Sequence, residues 1–164
     1  MGIIKQHINK IAVIFDRRIY QNKNFVVISN NCWGAEIYKR LGIKYNTPFV
    51  GLFIFGPDYL KLLSNFDHFI NLELNFKQES KWIKNTKQYP IGYLDDIEIH
   101  FLHYVNNDEA KSKWTKRLKR MNEIKDKDHF YFKICDREHA TNDIIIKFHD
   151  LLDTPFRFVP VISE

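Results

Sequence analysis

The stretch "FVVISNNCWGAEIYKRLG", residues 25–42, decides the fold class. It opens on Phe25, Val26, Val27 and Ile28, a short continuous apolar run of the kind a strand buried on both faces needs. Ser29, Asn30, Asn31 and Cys32 end that run with small polar side chains. From Trp33 the pattern predicts a helix that closes at Gly42, where a glycine takes the left-handed conformation of a C-cap. A buried strand that feeds a helix through a polar junction is the building unit of an α/β protein.

The same alternation extends along the chain. Residues 47–55, TPFVGLFIF, are apolar but broken by Pro48 and Gly51, so they read as a strand or as an irregular core segment. Gly56-Pro57-Asp58 opens a helix with Leu60, Leu63 and Phe66 on one face, ending near Asn71. A strand is expected near 72–77, followed by a polar stretch 78–90 that leads into Pro90-Ile91-Gly92. IEIHFLHY, 97–104, is a clear strand, and Asn106-Asn107-Asp108 starts a helix that runs to about 122. A strand at 130–134, a helix at 139–152 and a strand at 156–162 follow. The expected architecture is therefore α/β, with a mainly parallel or mixed central sheet and helices on both faces. At the N-terminus, Ile4, Ile8, Ile11 and Phe15 recur at helical spacing among basic residues. An amphipathic helix over 1–22 is expected to dock on an α/β core of 25–162 within a single domain of 164 residues.

Composition bounds the setting. Hydrophobic residues make up 45% of the chain, which excludes a disordered chain. The two cysteines, Cys32 and Cys135, lie far apart and form no C-x-x-C pair, so neither a zinc ribbon nor a disulfide framework is expected. The formal charge of +5 is a modest excess. No secretory signal or membrane-length apolar run is present, and a cytoplasmic location is expected. The basic N-terminal helix leaves peripheral contact with a membrane open. No aromatic-basic RNA motif or zinc finger is present, so no nucleic-acid partner is expected, and no metal site is called. A small-molecule or glycan substrate is the expected partner.

Cys32 at the strand-to-helix junction is a nucleophile, a metal ligand or a packed thiol. A thiol beside a helix N-terminus is more acidic than a free one and attacks carbonyl carbon if a base lies near. Asn30 and Asn31 suit helix capping or oxyanion stabilisation, and Gly34 lets a substrate approach the backbone. His103 is the candidate base, on the apolar face near the C-terminal end of strand 97–104. If that strand and strand 25–29 ran parallel in one sheet, His103 and Cys32 would share its carboxyl edge. His100 and Glu98 fall on the opposite face and read as a polar surface pair. In helix 108–121 Ala110, Trp114, Leu118 and Met121 form the apolar stripe, with Arg117 at its margin and Arg120 away from it. Arg117 and Arg120 are candidate anion-binding groups. Asp136 follows strand 130–134 and can orient a histidine, cap a helix or hold a sugar hydroxyl. Cys135 is expected to pack.

Ser-Asn-Asn-Cys-Trp-Gly at 29–34, YNTPFVGLFI at 45–54, YPIGYLDDIEIHFLHY at 89–104 and EAKSKWTKRLKRMN at 109–122 together resemble a bacterial family of unknown function. Its members are commonly described as exopolysaccharide or capsule biosynthesis proteins. A fainter similarity is to papain-like cysteine proteins of polysaccharide clusters, which would make the fold an α+β papain-like variant. A related capsule acetyltransferase type carries an Asn-Cys motif and is associated with coenzyme A. These resemblances imply Cys32 as nucleophile, His103 as its base and Asn31 in the site; the residues themselves suggest Asn30, Trp33, Gly34, Arg117, Arg120 and Asp136 as substrate-binding candidates. They imply an acyl donor such as coenzyme A. Other readings are a sugar-phosphate-handling or glycosyltransferase-like enzyme using Asp95, Asp96 and Asp136, and a non-catalytic glycan- or partner-binding module.

Overall fold

The computed structural model describes residues 24–84 and 89–152. The helix expected near the N-terminus and the strand expected over 156–162 lie outside the described residues. The chain is α/β, with its strands divided between two small sheets. Strand β1 (Val26–Ser29) pairs in parallel with β5 (Phe130–Lys133), Val26 facing Phe130 and Ser29 facing Lys133. The period-2 alternation sorts their side chains. Val26, Ile28, Phe130 and Phe132 enter the main core, whereas Phe25, Val27 and Tyr131 join a second cluster. Helix α1 (Gly34–Leu41) covers that second cluster with Tyr38 and closes on Gly42, at φ 67°, as the sequence predicts. Among the described residues the Val27 N–H donates to the buried Tyr38 hydroxyl, at 3.0 Å.

The second sheet is antiparallel: β2 (Asn75–Lys77), β3 (Ile91–Leu94) and β4 (Ile97–His100), in that order. Strand β3 was not expected. It forms a hairpin with β4 through Asp95 and Asp96, and Asp95 takes a positive φ of 58°. Asp tolerates that conformation better than most residues, so Asp-Asp serves where Asn-Gly is the usual signal. This hairpin corrects the expected geometry around His103. Its strand stops at His100 and pairs antiparallel to β3, and β4 and β1 are in different sheets.

Residues 49–55 join the two sheets as an irregular segment rather than as a strand. Phe53 and His100 exchange backbone hydrogen bonds of 2.9 Å, the His103 N–H donates to the Gly51 carbonyl, and the Ile54 N–H donates to the Asn30 carbonyl. The expected helix after Gly56 is broken into α2 (Gly56–Ser64) and α3 (Phe66–Ile70) at Asn65. Helix α2 packs on β4 and on α5 (Asn142–Leu152). Helix α4 (Asn107–Asn122) begins at Asn106, whose side chain accepts the Glu109 N–H at 2.9 Å. The Glu109 carboxylate reaches back to the Val105 N–H, completing a reciprocal cap. Ala110, Trp114 and Met121 are buried, with Leu118 partly so. No helix among the described residues is long and apolar enough to cross a membrane.

Candidate functional site

Cys32 and His103 line one pocket although β1 and β4 lie in different sheets. The pocket is about 240 Å³, and its walls include Lys39 of α1, Tyr45, Gly51, Tyr104, and Lys113 and Arg117 of α4. The connector is the irregular segment 49–55. The Cys32 Sγ lies 3.5 Å from the Leu52 carbonyl, to which it donates. Gly51, at φ 71°, presents its bare face to His103 and Tyr104; a Cβ there would sit 3.3 Å from each. A side chain would press on both walls, so the glycine is what lets the 101–105 turn approach.

The pocket walls carry three cations, Lys39, Lys113 and Arg117, and the Glu36 carboxylate. Lys39 and Lys113 are each paired with a carboxylate on their own helix, Glu36 and Glu109. Arg117 is held more firmly. Its guanidinium carbon lies 5.1 Å from the Tyr45 ring centre and 5.9 Å from that of Tyr104, and it donates to the Tyr104 hydroxyl. That hydroxyl in turn donates to the Val50 carbonyl. A guanidinium fixed between two rings is pre-positioned for an anion. The Cys32 thiol is raised above its ordinary pKa, first by burial and then by the Glu138 carboxylate, with Lys39 pulling the other way. At neutral pH it is therefore a thiol, and attack requires a base at the moment of reaction.

The other expected site residues are distributed differently. Asn31 accepts the Trp33 N–H at 3.2 Å and turns its amide nitrogen to the Cys135 sulfur, 2.7 Å away. Asn30 is fully buried, and its side-chain oxygen accepts the Cys135 N–H. The two asparagines thus surround Cys135 rather than Cys32. Cys135 also donates to Glu138 at 3.6 Å, so this thiol is part of a polar cluster and not simply packed. Gly34 is buried because a Cβ there would meet Val27 and Ser29 at 3.2 and 3.3 Å, which makes it a packing glycine between α1 and β1. Trp33 lies under the Lys133 ammonium at 4.6 Å. Arg120 and Asp136 are not among the pocket walls. Asp96 is paired with Lys61 at the hairpin turn, away from the pocket. Lys39, Tyr45, Tyr104 and Lys113 were missed. They carry no motif, and only the tertiary fold brings α1, the 45–52 segment and α4 to one pocket.

Glu98 and His100 correct the reading of a surface pair: both are fully buried. Their carboxylate and imidazole approach to 2.6 Å. The face opposite Ile97 and Ile99 is covered by residues 80–82 and by Phe53 and Phe55. Burial would raise Glu98, but bonds from Ser80, Tyr93 and the Lys81 N–H outweigh it and hold the carboxyl below its ordinary value. Burial lowers His100 and outweighs the pull of Glu98. The pair therefore stands as carboxylate and neutral imidazole. Asp58, also buried, accepts the Glu98 N–H, the Trp82 indole N–H and the Lys81 ammonium. No group of three His, Cys, Asp or Glu side chains among the described residues is placed to hold a metal ion.

Fold and pocket define a class: an α/β protein with one pocket lined by a thiol, an imidazole, two tyrosines and three cations beside the Glu36 carboxylate. The chain belongs to the family described as a domain of unknown function (DUF1919), which matches residues 3–157. It is 36% identical over 158 residues to an uncharacterized protein of Haemophilus influenzae, across 94% of this chain and 70% of that protein.

Proposed function

We propose that the protein is a cysteine-dependent acyltransferase or hydrolase of surface-polysaccharide biosynthesis, working in the cytoplasm on an anionic substrate. The observation that carries this reading is the shared pocket of Cys32 and His103, ringed by Lys39, Lys113 and Arg117. Cys32 attacks the acyl carbonyl as His103 takes its proton, and His103 returns that proton to the leaving group. The cations bind the substrate's anionic group and stabilise the negative charge that develops on the carbonyl oxygen. Asn31 acts as a positioning residue, since its carbonyl holds the Trp33 N–H next to Cys32.

Acetyl coenzyme A, an acyl thioester with phosphates, is the first probe. Acylation of Cys32 seen by intact mass and peptide mapping supports the reading, as does its loss in Cys32→Ala and its slowing in His103→Ala. Full turnover in Cys32→Ala would refute it. The cations also favour a second reading, a sugar-phosphate-handling enzyme in which Cys32 only lines the pocket. Binding of a sugar phosphate that survives thiol blocking, without any acylation, would select that one.

A further inference from the structure

We infer that Arg117 is the anion anchor of the Cys32 pocket and that the substrate is a small acyl phosphate, its phosphate on the Arg117 guanidinium and its carbonyl carbon at the Cys32 sulfur. Its acyl part rests on the thiol chemistry proposed above, whereas the phosphate site stands on the pocket alone.

The charges on the pocket wall are not equivalent. Glu36 and Lys39 lie one turn apart on α1, meet at 2.6 Å and are both exposed. Such a pair is screened by water and leaves little net field. Lys113 is exposed too, and its partner Glu109 is not one of the pocket residues. Arg117 is half-buried, and the contacts that hold it are neutral ones. They are the rings of Tyr45 and Tyr104, the Tyr104 hydroxyl, and the Val50 carbonyl at 3.4 Å. Neutral partners fix a guanidinium without cancelling its charge. Both hydrogen bonds leave from Nη1. The donors on Nε and Nη2 make the planar fork that matches two oxygens of one phosphate.

Size decides the class of substrate. The thiol and the guanidinium line one cavity of about 240 Å³, below the roughly 300–1,000 Å³ of pockets that enclose a drug-sized ligand. Tyr104 links the two groups. Burial raises its phenol, Arg117 pulls it back down, and the Cys32 thiol pushes it up again, so anchor and nucleophile both act on one hydroxyl. An anion on Arg117 therefore lies only a few bonds from a carbonyl that Cys32 attacks. In coenzyme A the phosphates stand a whole pantetheine arm from the thioester, too far for one cavity of this size. In an acyl phosphate, phosphorus and carbonyl carbon share one oxygen. The Cys32 S–H gives its proton to His103, the sulfur bonds to the carbonyl carbon, and the bond from that carbon to the shared oxygen breaks. Phosphate leaves with the proton from His103, and Arg117 balances the charge that builds on it.

Titration calorimetry with inorganic phosphate, at constant ionic strength in chloride, tests the anchor on the full chain. One saturable site is expected, and Arg117→Lys, which keeps the charge but not the fork, should weaken it about tenfold or more. No saturable binding, or the same affinity in Arg117→Lys, overturns the anchor. Acetyl phosphate and S-acetyl-N-acetylcysteamine, a small uncharged thioester, test the substrate class and need no variant. Peptide mapping follows acetylation of Cys32, each rate divided by that of the same donor with free cysteine. On this scale acetyl phosphate should be faster by about tenfold or more. Equal relative rates overturn the acyl phosphate while leaving Cys32 as the nucleophile. Phosphate binding with no acetylation of Cys32 by either donor refutes the thiol chemistry, and the acyl phosphate with it, but supports the anchor.

Discussion

Replacing Tyr38 by Phe removes one oxygen atom from the cluster between α1 and β1, and the structure sets the cost. Tyr38 is fully buried, and its hydroxyl accepts the Val27 N–H at 3.0 Å and donates to the Asn46 side chain at 2.6 Å. Asn46 is only half-buried, so water can replace the lost donor. Val27 is 3% exposed, and its N–H would have no substitute. A buried donor left without a partner costs about 1–3 kcal/mol. The ring itself stays, with its contacts to Phe25 and Tyr45, so no packing loss adds to that figure. For a chain of this length, 2 kcal/mol corresponds to a fall in Tm of about 4–8 °C. Urea unfolding followed by far-UV circular dichroism should show a lower midpoint with an unchanged slope. A loss below about 0.5 kcal/mol would mean that the Val27 N–H finds another acceptor. The claim that this hydroxyl is the acceptor Val27 depends on would then be wrong.

Gly51→Ala puts a side chain at φ 71° and against His103 and Tyr104. The left-handed conformation costs about 1–2 kcal/mol, and the stiffer unfolded chain offsets about 0.4–1 of it. A net destabilisation of about 1 kcal/mol is expected, with a larger loss of ligand binding because the pocket wall moves. Unaltered binding with full stability would show that the close approach at Gly51 is unimportant. Folded His100 sits below its ordinary 6.5 and folded Glu98 below 4.5, so the unfolded chain binds more protons in acid. Stability should fall as pH drops below the ordinary imidazole value and fall further below the ordinary carboxylate value. Urea midpoints that match at pH 7 and pH 5 would contradict this. Iodoacetamide should alkylate Cys32 slowly at neutral pH and faster as pH approaches and passes 9.0, its ordinary value here, because burial raises the thiol. Rapid alkylation at pH 7 in the ligand-free protein would show a preformed thiolate.

The sequence by itself determined the local units. The β-branched run at 25–28, the glycine at 42 and the Asn106–Glu109 cap each depend on residues near in the chain, and each element formed where its residues predicted it. Cys32 and His103 were legible as candidates because both stood where elements end, and the structure lines one pocket with both. The route that joins them was not legible. Side-chain alternation says which residues of a strand share a face, but not which sheet the strand enters, and β4 chose the β3 hairpin over β1. The same limit hid the burial of Glu98 and His100. A polar strand face looks solvated until a distant segment, here residues 80–82, supplies its hydrogen bonds. Only the tertiary structure turned Asn30 and Asn31 toward Cys135, and only it brought Lys39, Tyr45, Lys113 and Arg117 to one pocket. Local conformation is decided by neighbours in the chain, whereas a site is decided by which surfaces can be buried against each other.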